Sequence, residues 1–424
     1  MTTTALRREL EIISPTRQIV MGVLFLAAGF VIWFYFSRSL EPETITKFGM
    51  TPGGYKATIS DLILPSQQTL NVLAALCGFI GAVQVLRKGG FRKRTNGMLG
   101  LVSGFLIFAF LIWAAAGRSL NLAGLLNTTL SKAVPLTLGA MSGILCERAG
   151  VVNIAIEGMM LMGAMIGALV GSITGNLWIG LLSAVLSGGL LGWVHGVLSI
   201  KYRTNQIISG TAINIFATGL TSYVSAKFMQ THQELNNPGI FRGWEIPGLS
   251  QIPFLGPILF NNNMFVYAMF LFLIALQFGL FYTRWGLRHR AVGEHPRAAD
   301  TLGINVFRTR YIAVILGGLM AGFAGGYFTL GSVGRFDEVM TAGRGFISLA
   351  AMIFGNWLPF GAFGAGLLFG FADSLASKLA ILGLRIPSQF LLMAPYLATM
   401  VVLAGVIGRG QMPAADGVPY EKEG

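Results

Sequence analysis

Long apolar runs recur along the whole chain, and they leave few options for its fold. Full-length runs lie at about 19–36, 68–86, 97–116, 151–173, 177–198, 206–228, 263–283, 311–332, 360–380 and 390–408. Each approaches the ~20 residues that a helix needs to cross a bilayer. Of the 424 residues, 11% are charged and 54% hydrophobic, against about 25% charged in a soluble domain. So few charges cannot clothe a soluble surface of this size. The sequence therefore predicts an all-α, polytopic membrane helix bundle whose surroundings are a lipid bilayer. The formal net charge of +13 would suit a nucleic-acid partner in a soluble chain. Here the basic residues sit between apolar runs, where they set topology, and no nucleic acid is expected. Arg7, Arg8 and Arg17 precede the first run without a following cleavage site, which reads as a signal anchor. Cys77 and Cys146 lie in apolar runs and read as buried free thiols.

Two shorter apolar segments, 133–146 and 345–358, are interrupted or flanked by glycine and proline. They read as two broken short helices. With the N-terminus in the cytoplasm and both short segments crossing, 19 of the 30 Lys and Arg fall inside, including the clusters at 87–94 and 284–310. Omitting one short segment would turn one of those clusters outward, so both cross or neither does. The long outer loops are then 37–67 and 229–262. Glycines recur every four residues at Gly163, Gly167 and Gly171, at Gly188, Gly192 and Gly196, and at Gly318, Gly322 and Gly326. Such stripes let helix backbones approach closely. The stretches 133–173 and 345–380 echo one another weakly, each a short segment followed by a glycine-rich helix. Discontinuous segments at matching positions point to a transport pathway.

Chemistry-bearing motifs are sparse. No Gly-Lys pair exists, so a Walker A loop is excluded. His195, His232, His289 and His295 are scattered, and no metal-ligand spacing or nucleophile elbow appears. No cofactor and no metal are expected on this chain. Two charges fall within the apolar runs, Glu157 and Asp373. A charge at the bilayer centre costs ~3 kcal/mol on insertion scales and needs water or a partner. Each therefore either lines a pathway or pairs at a helix break.

The run Cys146-Glu147-Arg148-Ala149-Gly150-Val151-Val152-Asn153-Ile154-Ala155-Ile156-Glu157-Gly158 differs in kind. It sets polar groups and glycines between two apolar segments, and irregular backbone at that depth is tolerated only beside protein or water. The loop 284–310 is the longest basic one. Within it Glu294-His295-Pro296-Arg297-Ala298-Ala299-Asp300 can start a short helix, with Pro296 in its first turn. Such a helix suits a groove on a cytosolic partner, or else lies on the membrane surface.

The 146–158 run closely resembles the signature of permeases in nucleoside and simple-sugar ABC importers. Three further stretches resemble the same family. One runs from Asn205 and Gln206 through Ser209-Gly210 to Asn214. Another runs from Gly286 through Glu294–Asp300 to Gly303-Ile304-Asn305. The last runs from Thr341 through Gly343 and Arg344 to Gly355. The resemblance covers about 125–408. It implies a core of about ten helices, of type II-like importer architecture, with extra N-terminal helices. The domains expected are a transmembrane extension at 1–120, the permease domain at 121–410 and a cytoplasmic tail at 411–424.

The resemblance implies a non-catalytic subunit in a bacterial inner membrane, with both termini cytoplasmic. It also implies three partners: a cytosolic ATPase that carries the ATP and Mg, a second, non-identical permease, and a periplasmic or lipoprotein binding protein. Glu294, His295, Pro296, Arg297, Ala298, Ala299, Asp300 and Gly303 match the segment that meets the ATPase. Glu147, Arg148, Gly158, Asn205, Gln206, Gly343 and Arg344 are motif positions with a structural role. Asn153, Glu157, Asn214 and Asn356 are the expected polar contacts along the pathway. Asn153 and Glu157 stand four apart and would share a helix face. The rival structural reading has Asn153 capping the break and Glu157 pairing with Arg148. Two rival functions are an ion-coupled secondary transporter and a membrane enzyme, the latter lacking any visible acid–base or metal site.

Overall fold

The computed structural model describes residues 14–55, 59–87, 90–382, 393 and 412–422. They divide into two compact units, Met1–Gly124 with Leu379–Arg385, and Leu125–Lys378 with Ile386–Gly424. Among the described residues, ten helices are long and apolar enough to cross a bilayer. The expected run at 390–408 lies outside the described residues.

The first unit holds three of these helices, α1 (Pro15–Ser37), α2 (Ser66–Leu86) and α3 (Thr95–Ala114). α1 and α2 approach closely because Gly29 and Gly81 offer no side chain. A Cβ on Gly29 would stand 2.9 Å from the Ala74 carbonyl oxygen, and one on Gly81 2.7 Å from Leu26 N. Buried Gln18 accepts from Thr95 Oγ1 at 2.6 Å and from Gln84 Nε2 at 2.7 Å, so all three helices share one polar clasp. The loops carry a small sheet of order β2-β1-β3, built from β1 (Ile45–Gly49), β2 (Leu62–Pro65) and β3 (Ser119–Asn121). β1 pairs antiparallel with β2 and parallel with β3.

The second unit contains α4 (Leu122–Glu147), α5 (Ile156–Thr174), α6 (Leu177–Lys201), α7 (Gln206–Met229) and α8 (Met264–Tyr282). Two short helices follow, α9 (Arg284–Glu294) and α10 (Pro296–Thr301). Then come α11 (Val306–Val333), the short α12 (Arg344–Phe354) and α13 (Pro359–Ile381). Side chains set several of the starts. Asn176, Asn205 and Asn263 accept from the first-turn amides of α6, α7 and α8, as Thr283 and Asn305 do for α9 and α11. Such caps satisfy donors that a helix leaves unpaired.

The glycine stripes meet one another. Gly163 of α5 and Gly188 of α6 both lie against Gly322 of α11, and Gly192 lies against Gly318. α5 and α6 touch through Gly167, Gly171 and Gly180. This is the close helix packing that the four-residue spacing predicts.

The two short segments behave differently from one another. Residues 133–146 are the second half of α4, a continuous helix of 26 residues. The sequence conceals this because Asn127, Thr128, Thr129, Ser131 and Lys132 interrupt the apolar run, yet they occupy helical positions. Pro135 sits inside this helix, where it withholds an amide from the Ser131 carbonyl. By contrast α12 has only 11 residues, ~16 Å at the helical rise. It runs beside α4 in the same direction: Gly139 faces Ser348, Gly143 faces Met352 and Glu147 reaches Trp357. Residues 334–343 supply the rest of that passage without helix. α13 then returns, with Gly366 against Thr137 and Gly370 against Thr129 and Ala133.

One end of this unit thus gathers the finish of α4, the 148–155 loop, the α6–α7 turn, α9, α10, residues 355–358 and the 412–422 tail. The opposite end gathers the start of α4, the 229–263 loop and the finish of α11.

Gly322→Ala is expected to lower the thermal unfolding temperature in detergent, as overpacking costs about 1–3 kcal/mol. Its added methyl would stand 3.0 Å from the Val185 carbonyl oxygen. Gly219→Ala, at a position open to 4 Å, is expected to be neutral or stabilising, because alanine is the better helix former.

Candidate translocation pathway and coupling surface

The break between α4 and α5 leaves backbone groups without helical partners, and four side chains from three segments take them up. The Asn153 carbonyl oxygen Oδ1 accepts from Ala155 N at 3.1 Å. Gln206 Oε1 accepts from Val152 N at 2.7 Å. Asn214 Oδ1 accepts from Gly158 N at 2.8 Å while its Nδ2 donates to the Ile154 carbonyl at 2.9 Å. His195 Nε2 donates to the Val152 carbonyl at 2.9 Å, which leaves Nδ1 to accept from Ser209 Oγ at 3.0 Å. Gly158 has to be bare, since a Cβ would stand 2.9 Å from Asn214 Oδ1. The Asn153 side chain is buried and precedes the first turn of α5. Asn153 and Glu157 therefore do not share a helix face.

Glu157 reaches across to the start of α12. Its Oε1 accepts from Thr341 Oγ1 at 2.6 Å and Gly343 N at 2.9 Å, and its Oε2 from Gly345 N at 2.6 Å. A carboxylate on the first amides of a helix satisfies unpaired donors and meets the positive end of its dipole. Gly343 supplies the left-handed turn, at φ +80. Gly345 permits the approach, because a Cβ there would lie 2.5 Å from Glu157 N. The expected Glu157–Arg148 pair is not formed. Arg148 instead donates to the carbonyls of Trp357 (3.1 Å) and Asn356 (3.3 Å), and Glu147 accepts from Trp357 Nε1 at 2.5 Å. Asn356 and Trp357 form a left-handed turn, at φ +55 and +53, which the neighbouring Glu147 and Arg148 hold from both sides.

Above the break, α4 carries a polar stripe: Asn127, Thr128, Ser131 and Lys132, each partly exposed. Lys132 pairs with Asp373 at 3.1 Å, and Arg344 stands 3.7 Å from the other oxygen of the same carboxylate. A polar cavity of about 760 Å³ opens at the outer-loop end, lined by Gln230, Asn236, Arg335 and Glu338 among others. The non-helical passage 334–343 starts there.

The opposite end is built around α9 and α10. Thr283 caps α9, and Pro296 opens α10 in its first turn, as the sequence suggests. His289 Nε2 donates to the Leu145 carbonyl at 2.8 Å, and burial pulls its pKa down to about 4, so the ring is neutral. Gly293 packs on the Arg148 backbone. Burial pulls the Arg148 guanidinium below its ordinary value, with nearby Glu294 pushing back. Glu294, His295, Arg297, Ala298 and Gly303 are exposed, whereas Ala299 is buried. Leu302 is 81% exposed, an apolar side chain left uncovered among charges.

The tail, which the sequence leaves without a role, is seated on this surface. Ala415 N donates to the Gly293 carbonyl at 2.9 Å, Ala414 N to Glu294 at 3.2 Å and the Tyr420 hydroxyl to Asp300 at 2.8 Å. Arg310 donates to the Val418 carbonyl at 2.9 Å. Burial pushes the Asp416 carboxyl up to about 7, against the pull of the Arg310 charge.

A family model described as the permease component of the branched-chain amino acid transport system matches residues 125–407. The guanosine ABC transporter permease protein NupQ of Bacillus subtilis (strain 168) is 43% identical over 306 residues, spanning 69% of this chain and 95% of that protein. The nucleoside ABC transporter permease protein NupC of Lactococcus lactis subsp. cremoris (strain MG1363) is 40% identical over 297 residues, spanning 68% and 93%. The putative glucose ABC transporter permease protein TsgC13 of Haloferax volcanii is 34% identical over 328 residues, spanning 71% and 98%. No solved structure matches. The matched family region begins just after the first compact unit.

Glu157→Gln is expected to destabilise the fold by about 1–3 kcal/mol, because its amide group would face one of three donors. Thermal unfolding in detergent reads this. A second expectation follows from Asp416. A carboxyl whose folded pKa is raised holds its place best when protonated, so seating weakens as pH rises from the ordinary value of 3.8 to about 7 and levels off above it. A spin label at exposed Val418 should gain mobility between about pH 4 and pH 7 and change little above, and Asp416→Asn should remove that dependence.

Proposed function

The chain belongs to the family of permease components of the branched-chain amino acid transport system, and we propose that it conducts a nucleoside through an ATP-driven importer. As a member of that family it is a membrane-spanning ABC transporter permease subunit. The nucleoside is supported by its two relatives at 40% identity or above, both named for nucleoside or guanosine transport. The relative named for glucose is more distant, at 34%.

The single observation that carries the transport reading is the break at 148–155 beside a second interrupted passage at 334–358. Non-helical backbone at membrane depth is kept only where protein or a water-filled route adjoins it. The route we propose runs from the outer cavity, along the α4 stripe, to the start of α12. Asn153, Glu157, Asn214 and Asn356 bound it by holding the irregular backbone in place. Their polar side-chain atoms are largely engaged within the chain, so the substrate meets the surface they shape.

We place the α9–α10 end in the cytoplasm of a bacterial inner membrane, with both termini on that side. The support is charge: Lys201, Arg203, Arg284, Arg288, Arg290 and Arg297 fall among the segments gathered there, against Lys227, Arg242 and Arg335 at the opposite end. A separate ATPase would dock on the exposed part of Glu294–Gly303, where Arg297 and Leu302 offer a charge and an apolar anchor. His289, Gly293 and the seated tail tie that segment to the finish of α4 and hence to the break. A second, non-identical permease and an external binding protein complete the assembly.

Two expectations test this. In proteoliposomes holding the whole assembly, guanosine uptake should require ATP and persist when ion gradients are collapsed. Gradient-driven uptake by this chain alone would support an ion-coupled carrier instead. Arg297→Glu with Leu302→Asp should lower ATP-driven uptake at least about tenfold, the loss that one or two buried interface contacts bring, while insertion is retained. Normal coupling in that variant would remove the docking assignment.

A further inference from the structure

Lys132, Arg344 and Asp373 are charged and partly exposed, and Lys132 and Asp373 lie far from both ends of their helices. Lys132 is ten residues into α4 and Asp373 fourteen into α13, ~15 and ~21 Å along their axes by helical rise. Their side chains keep 25%, 31% and 27% exposure respectively. A charge left exposed at this depth faces water or a polar ligand, because lipid would exact a large desolvation cost.

We propose that these three residues form a station midway through the membrane that hydrogen-bonds the vicinal hydroxyls of an uncharged sugar ring. With the nucleoside reading above, on which this rests, that ring is the ribose.

The geometry assigns different tasks to the three. The Lys132 ammonium donates to the Asp373 carbonyl at 3.0 Å and Ser377 Oγ at 2.8 Å, and meets Asp373 Oδ1 at 3.1 Å. Its three protons are thereby committed, which makes Lys132 a positioning residue that holds the carboxylate to α4. Arg344 is fixed by its NH1 contacts to the Met340 and Thr341 carbonyls, at 3.4 and 3.3 Å, and by the Phe328 ring 5.7 Å below its guanidinium. Its NH2 stands 3.7 Å from Asp373 Oδ2, beyond a direct hydrogen bond. A hydroxyl group can enter between them, accepting from the guanidinium and donating to the carboxylate. A neighbouring hydroxyl donates to the remaining carboxylate lone pairs, since one carboxylate has about four such sites. Arg344 opens α12, whose first amides Glu157 holds, so the station is anchored to the broken passage itself.

The test uses the complete importer in proteoliposomes. Uptake rates of guanosine, 2′-deoxyguanosine and 3′-deoxyguanosine are compared, each at a concentration that saturates the binding protein. Asp373→Asn should slow guanosine about tenfold, the usual weight of a hydrogen bond to a charged group, and the deoxy forms much less. The preference for the intact diol should therefore collapse. Assembly is read by co-purification of the partner subunits and by basal ATP hydrolysis. If Asp373→Asn does not assemble, Arg344→Lys carries the same comparison, keeping the charge while losing the planar fork. An unchanged diol preference in either assembled variant overturns the proposal. So does failure of both variants to retain the second permease, which would make the triad a subunit contact. Wild-type importer that moves none of the three compounds would instead sink the nucleoside reading.

Discussion

Everything distinctive in the second unit follows from one requirement: backbone amides and carbonyls that leave a helix inside a membrane must find partners there. Water is not at hand, and each unpaired group costs several kcal/mol. The chain breaks its helical pairing at 148–155 and again at 334–343. The first break is served by Asn153, Gln206, Asn214 and His195. Glu157, just past it, serves the second. The two breaks are thus linked by a single carboxylate, with Glu147 and Arg148 fastening the far end of α12. Each interrupted segment is tied to the other through short hydrogen bonds rather than through loose packing.

That linkage bears on the ATPase docking proposed for the α9–α10 end. α9 is pinned to the finish of α4 by His289 and by Gly293 on the Arg148 backbone. The tail adds bonds to Gly293, Glu294 and Asp300 on one side and to Arg310 on the other. The exposed Arg297–Leu302 surface is therefore connected to residues 147–148, which hold the turn after α12. The glycine junction of α5, α6 and α11 forms a close-packed body beside this apparatus, with backbone in direct contact and little room to deform.

The sequence made most of the helices legible, because an apolar run of spanning length allows little else. Their packing was legible too, since a four-residue glycine spacing demands a close neighbour. The continuity of α4 was hidden: Asn127, Ser131 and Lys132 break the apolar run while remaining helical, and their polarity marks a partly exposed face rather than a break. Motif positions were visible as a pattern, but their partners were not. Thr341 and Gly345 lie 184 and 188 residues beyond Glu157 in the chain, and Tyr420 lies 120 beyond Asp300. No local periodicity reports contacts of that range. Asp373 was evident as a charge within an apolar run, yet its pairing with Lys132 on another helix was not, and His195 and the tail carried no local signal at all.

The division between residues that hold the breaks and residues that face the route is open to direct measurement. With Cys77 and Cys146 replaced, single cysteines at 127, 128 and 131 and at 153 and 214 can be exposed to a small polar thiol reagent in the assembled transporter. Labelling at 127, 128 and 131, slowed by guanosine, with 153 and 214 protected throughout, is the expected result. Substrate-sensitive labelling at 153 and 214 with a silent α4 stripe would contradict it.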